Sequence, residues 1–369
     1  MYRTQLDAAI LQAAEDYYAT YDYCEFVNNR KKEAKTICLY GTGNFFENYV
    51  QHMEKYDYVC DGNSEKWGKR YGGRECISPQ QLSELESVVV FVMLGNYKDV
   101  VEQLRKQHIE SYFFGDLHLN IYNDRYTAAW FEENRKEMLD AIDIFEDDVS
   151  KQIYVEAICN RIAPKHAKRT FHELEERGEY FGTGIFKMEE DECYVDAGAY
   201  NGDSIRAFLE VSKGKFANIY GFELDSKNYI AMCRNNDIAN DERIQLFNMG
   251  VSSEEKRVEI VSAGTGSHVI EGKKQSVRLG KLDTVLGEKR VTLIKMDIEG
   301  AEMDGLKGAK GIITNQHPKL AISAYHRLDD MWKIPRYIKE LCPDYKIYLR
   351  HHTAVAWDTD CYAYIGGNQ

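Results

Sequence analysis

The chain has 369 residues, 44% of them hydrophobic, which is long for a single core and points to two α/β domains. With 47 Lys and Arg against 60 Asp and Glu the formal net charge is -13, and so acidic a surface repels phosphate backbones, excluding nucleic acid as the expected partner. Five prolines leave little room for long disordered linkers, and nine cysteines, none in a C-x-x-C pair, fit a reducing compartment better than a disulfide framework.

Residues 1–34 read as a helical segment, with Leu6, Ile10, Ala13 and Ala14 at helical spacing. Asp7, Glu15 and Asp16 break the apolar core a signal peptide needs, and no stretch reaches the length of a membrane span. A cytoplasmic protein with no membrane partner is therefore expected. Thr36 to Tyr40 is a short β-prone run, followed by the tight turn Gly41-Thr42-Gly43, with Asn44 placed to cap a helix. A second strand, Tyr58-Val59-Cys60, ends at Asp61. A third run, Val88 to Leu94, stops at Gly95-Asn96, and Ser111 to Phe114 forms a fourth. Strands alternating with helical stretches imply βαβ units and a parallel sheet, so residues 35–119 are expected to form a small Rossmann-like domain. Its loop has two glycines of a dinucleotide fingerprint, but Phe46 stands where the third belongs, and Asp61 is placed as a ribose-binding acid would be. A structural or substrate-presenting domain is the expectation here. An NAD-linked sugar-nucleotide oxidoreductase is the alternative. Residues 120–178 turn helical and charged and read as a connector.

From Glu192 a second α/β series begins, the domain 179–369, in which each apolar strand ends in polar or glycine residues. In an open parallel sheet the ligand binds at those carboxyl ends. The first strand runs into Asp196-Ala197-Gly198-Ala199-Tyr200-Asn201-Gly202-Asp203. Glycines let the backbone approach a ligand, but Asp196 and Asp203 would repel a pyrophosphate. They suit a ligand bearing an ammonium and a sulfonium, as S-adenosylmethionine (SAM) does. The second strand ends in Glu223-Leu224, little more than 20 residues beyond the loop, where an acid can accept hydrogen bonds from both ribose hydroxyls. A later strand delivers the cluster Asp297-Ile298-Glu299-Gly300-Ala301-Glu302. Asp297 is expected to meet the methionine part of the cofactor or the acceptor, and Glu302 to favour the start of the next helix. The following strand delivers Tyr325-His326-Arg327, and a histidine there could take a proton from a hydroxyl near neutral pH.

The segments VDAGAYNGDS, IYGFELD, KLDTVL, LIKMDIEGAE, PKLAISAYHR and YLRHHTAVAWDTDCYAYI, in that order, resemble the FkbM family of SAM-dependent methyltransferases from about Tyr180 to Ile365. The resemblance implies a class I methyltransferase (Rossmann-like) fold for the C-terminal domain and O-methylation of a sugar, glycan or related small-molecule hydroxyl. It assigns Asp196, Gly198 and Gly202, with the intervening Ala199, Tyr200 and Asn201, to the methionine side, Glu223 and Leu224 to the ribose side, and Asp297 to the neighbourhood of the methyl group. Relatives often carry a glutamate where Ser323 stands, which leaves His326 as the candidate base, with Asp297 as its rival. A divalent metal is allowed for, with Asp297 and Glu299 as ligands, but not predicted. The expected partner is a small-molecule or carbohydrate acceptor, and a homo-oligomer is compatible with the sequence. A third reading, a non-catalytic nucleotide-binding module, is opposed by the retention of Asp196, Glu223 and Asp297 together.

Overall fold

The computed structural model describes residues 1–16, 31, 33, 35–43, 46–47, 50, 53, 55–94, 97–113, 127–163, 166–261, 274–353 and 356–366. The chain divides into two compact units: Met1–Lys136 with Val155–Glu173 and Ala354–Ala356, and Glu137–Tyr154 with Leu174–Thr353 and Trp357–Gln369. The stretch read as a connector is thus divided, 137–154 going to one unit and 155–173 to the other. Among the described residues no helix is long and apolar enough to cross a membrane. The described cysteines are all free thiols.

In the first unit a helix spans Tyr2–Asp16 and buries Leu6, Ala9, Ile10 and Ala13. The strands are β1 (Thr36–Tyr40), β2 (Tyr58–Cys60), β3 (Arg70–Tyr71), β4 (Arg74–Ile77), β5 (Val88–Val92) and β6 (Glu110–Phe113), in the sheet order β3-β4-β2-β1-β5-β6. All pairings are parallel except the β3–β4 hairpin, which turns at Gly72-Gly73 and has no counterpart in the sequence expectation. Asn44, Gly95, Asn96 and Phe114 lie outside the described residues. Phe46 is buried at 3% exposure against Ile37, Leu39, Met53, Tyr56 and Val59, so the residue that interrupts the glycine fingerprint is a core side chain.

The second unit holds β7 (Cys193–Ala197), β8 (Asn218–Phe222), β9 (Ile244–Phe247), β10 (Gly250–Val251), β11 (Lys256–Val261), β12 (Lys274–Gly280), β13 (Leu293–Met296), β14 (Lys319–Ser323), β15 (Lys346–His351) and β16 (Thr359–Tyr364). Strands β10, β12 and β11 form a separate small sheet; the main sheet has the order β15-β16-β14-β13-β7-β8-β9. Every pairing from β14 to β9 is parallel, while β16 is antiparallel to both of its neighbours. The central strands read as continuous apolar runs because helices cover parallel sheets on both faces, and β7 is buried along its whole length. Strand order reverses between β7 and β13. That reversal opens the crevice in which doubly wound folds take their ligands, and it sets the loop after β7 beside the one after β13.

Candidate active site

Asp196, the fourth residue of β7, is fully buried. Its carboxylate accepts a hydrogen bond from Ser204 Oγ at 2.5 Å and lies 3.1 Å from Lys295 Nζ of β13, whose ammonium also donates to Gly198 O at 2.8 Å. Burial pushes the Asp196 pKa up, and the Lys295 charge with the Ser204 hydrogen bond opposes it. Asp196 therefore ties three segments together from beneath the loop instead of lining it. Gly198 has φ +83, and a Cβ there would stand 1.7 Å from the carbonyl oxygen of Asp297, so only glycine permits the two loops to touch. The N–H groups of Gly198 and Ala199 both donate to Phe222 O, Tyr200 takes φ +45, and Asn201 accepts from Arg206 through its backbone and side-chain oxygens. Gly202, also left-handed, caps the helix Asp203–Ser212.

Glu223 follows β8 and is 7% exposed. One carboxylate oxygen accepts from Tyr200 N at 2.8 Å and the other from Asp225 N at 2.6 Å. A carboxylate has roughly four acceptor positions; these two N–H groups use two, and the Asn228 side chain adds a further hydrogen bond. Burial raises its pKa to about 7, against the pull of these backbone hydrogen bonds. Leu224, half-buried, follows it, and its carbonyl accepts from Asn248 Nδ2.

Asp297, at the end of β13, accepts from Tyr180 OH at 3.2 Å and Tyr325 OH at 3.4 Å, and its side chain is 24% exposed. His326, beyond β14, stacks its ring against Tyr325 at 4.1 Å between centroids. Its Nε2 faces Asp297 Oδ1 at 3.5 Å and Glu299 Oε2 at 3.4 Å, and its Nδ1 lies 3.1 Å from Glu302 Oε1, off the hydrogen-bonding line. Glu302 is fully buried in the first turn of the helix Glu302–Gly308 and accepts from the N–H groups of Ile298 and Gly300. It therefore secures the turn before the helix, and in addition reaches the site. Burial pulls the His326 pKa down, but Glu299, Glu302 and Asp297 together push it up to about 11. An imidazole so placed keeps its proton at neutral pH, which works against the base role expected of it.

Three participants carried no assignment in the sequence reading. Lys295 had a visible signal, a lone cation inside the apolar run LIKM. Tyr180 had none, because its partner Asp297 is 117 residues away. Asp360 is fully buried opposite Ser323 and accepts its hydroxyl at 3.0 Å, so an aspartate on β16 brings a carboxylate to the end of β14. Nearby Asp358 has φ +55, and burial with the charges of Glu179 and Asp297 lifts its pKa to about 7.

In the first unit, the acid that a dinucleotide reading assigns to ribose is already engaged. Asp61 Oδ2 accepts from Thr42 N at 2.9 Å, Thr42 Oγ1 at 2.6 Å and Lys66 Nζ at 3.0 Å, and Oδ1 accepts from Asn63 N at 2.9 Å. A Cβ on Gly41 would lie 2.6 Å from Leu94 Cδ2, so this glycine serves packing of the loop against the end of β5.

The sequence model of the methyltransferase FkbM domain matches residues 196–353. No curated protein matches the chain in sequence. The crystal structure of methyltransferase FkbM from Methylobacillus flagellatus KT is similar with a TM-score of 0.74 and 25% identity, covering 98% of this chain and 100% of that one. An rRNA methylase from Streptococcus thermophilus (TM-score 0.31, 14% identity, 49% of this chain and 90% of that one) also matches. So does the fibrillarin of Aeropyrum pernix, solved with bound S-adenosyl-L-methionine (TM-score 0.32, 9% identity, 49% and 70%). Residues 196–353 are an FkbM methyltransferase domain on a class I methyltransferase fold, and the protein is a methyltransferase.

Proposed function

We propose that this methyltransferase takes its methyl group from SAM and delivers it to a hydroxyl of a sugar, glycan or related small molecule. The observation that carries the cofactor assignment is Glu223. It is a buried carboxylate at a strand end beside the switch point, held by two backbone N–H groups and the Asn228 side chain and with acceptor capacity left for a ribose hydroxyl. The residues fit such a cofactor on charge as well, since the carboxylates Asp203, Asp297 and Glu299 oppose a phosphate. When bound, SAM supplies an already activated methyl group, so the chain's task is to position the acceptor and deal with its proton.

In this reading the backbone from Gly198 to Gly202 faces the methionine end, and Asp196 with Lys295 holds that loop in place. Leu224 flanks the adenosine. Tyr180 and Tyr325 orient Asp297, on which activation of the acceptor rests. The acceptor class is what the FkbM resemblance implies, and the acidic net charge supports a small molecule over a nucleic acid. An NAD-linked reaction in the first unit is not favoured, since Asp61 Oδ2 is fully occupied by Thr42 and Lys66 and Oδ1 already accepts from Asn63. Mass spectrometry of the purified protein should find SAM or S-adenosylhomocysteine and no NAD. Co-purifying NAD with no adenosyl-sulfur compound would refute the assignment.

A further inference from the structure

We propose that Asp297, Glu302 and His326 form a binding site for one divalent transition-metal ion of the Mn²⁺–Zn²⁺ class, completed at its mouth by Glu299. The site deepens the methyltransferase reading, on which only the ion's role toward the acceptor rests. One ligand atom from each of Asp297, Glu302 and His326 lies within 4.8 Å of the others. His326 Nε2 stands 3.5 Å from Asp297 Oδ1 and 3.4 Å from Glu299 Oε2. Donors sharing one ion at bond lengths of 2.0–2.2 Å are separated by about 3–3.5 Å, which is the spacing of Nε2 with Asp297 and Glu299, and Glu302 offers a further oxygen from within 4.8 Å.

A second observation concerns an atom left without a hydrogen-bond partner. Glu302 Oε2 is buried with none, on a side chain 0% exposed. Buried polar atoms are rarely left so. Charge points the same way. Three carboxylates converge on one imidazole, and Lys295, the lysine behind them, is paired with Asp196. A protonated ring compensates one of the three charges, whereas a divalent ion compensates two. The imidazole selects against Mg²⁺ and Ca²⁺, which prefer oxygen ligands throughout, and the carboxylates suit Mn²⁺ or Zn²⁺. Coordination requires the neutral ring, so the ion takes the place of the imidazole's proton. An acceptor hydroxyl entering its shell is acidified: the O–H bond breaks, the electron pair stays on oxygen and the proton passes to water.

The test uses chelator-treated full-length protein and Mn²⁺ alone. Titration followed by electron paramagnetic resonance should give one bound Mn²⁺ per chain, and spin-echo modulation should show a coordinated imidazole nitrogen in the wild type. Asp297→Asn, Glu302→Gln and His326→Asn should each weaken binding at least tenfold, while the exposed Glu254→Gln leaves it unchanged. Absence of binding by both Mn²⁺ and Zn²⁺, or binding without nitrogen modulation, overturns the site, and neither measurement needs a variant to fold. S-adenosylhomocysteine binding is measured separately on the metal-free protein. Its loss with Mn²⁺ binding intact would overturn the cofactor reading alone, and the reverse would overturn the metal site alone.

Discussion

Glu223 carries two backbone N–H groups and stays largely out of water, and both facts have measurable consequences. Glu223→Ala removes a charged acceptor for ribose, so calorimetry should show S-adenosylhomocysteine affinity falling by about 2–3 kcal/mol. The raised pKa gives a second test. Burial, with Asp225 adding like charge, holds the folded-state value at about 7 against the N–H donors of Asp225 and Tyr200 and the Asn228 side chain. The fold thus binds more protons than the unfolded chain between pH ~4.5 and ~7, and this group's contribution to stability is lost as pH rises through that window. Denaturation of the ligand-free protein should follow this trend, and Glu223→Gln should flatten it. The same ionisation favours the ligand: affinity should increase as pH rises through about 7, and a flat profile in the wild type would contradict the assignment.

Strand ends hold the site together through contacts that single elements cannot make. In β13, Lys295 is 4% exposed and faces Asp196 of β7, itself 0% exposed. Removing one member of such a pair leaves an uncompensated buried charge. Lys295→Met should cost about 3–5 kcal/mol in denaturant unfolding, and Asp196→Asn combined with it should recover part of that loss. The loop after β7 meets the one after β13 at Gly198, where a Cβ would collide with Asp297 O at 1.7 Å. Gly198→Ala should destabilise the unit by on the order of 3 kcal/mol and weaken S-adenosylhomocysteine binding in parallel. Unchanged stability in that variant would mean that the loops do not touch.

At the scale of the molecule, the second unit does not begin where the sequence series of strands begins. Strand β15 lies at the edge of its sheet, and segments before residue 179 cover that edge. Glu146 N donates to Ile347 O at 3.0 Å, Leu349 N to Ser150 Oγ at 3.0 Å and Glu176 N to His351 O at 2.8 Å, while Arg350 pairs with Asp147 at 2.8 Å. Bare edges of this kind invite pairing with other chains. A fragment of residues 179–369 should therefore melt several degrees below one of residues 137–369 and aggregate more readily. In the other unit, Asp61 has no acceptor capacity to spare on Oδ2, so NADH fluorescence should not saturate at low micromolar concentration with the full-length protein.

Much of this was readable in the sequence because it is local. Apolar runs ending in polar residues marked β1, β2, β5, β7, β8, β13 and β14, and the same pattern put Gly198, Glu223 and Asp297 at the carboxyl ends where a ligand binds. The motif LIKMDIEGAE and its neighbours carried the family. Short or edge elements were not legible: the β3–β4 hairpin and the small sheet of β10, β11 and β12 lack a long apolar period. Least legible were the environments of the site residues. The position of His326 suggested a base, yet the three carboxylates that gather round it come from the loop after β13 and the helix beyond, and they push its pKa up to about 11. Asp196 was read as lining the site and is sealed beneath it. Asp360 reaches Ser323 only because β16 inserts antiparallel beside β14. Side-chain period and strand-end chemistry are properties of neighbouring residues, and sequence alone determined them. Charge state and partnership depend on which distant strands lie side by side, and that was decided by the packing of the sheet.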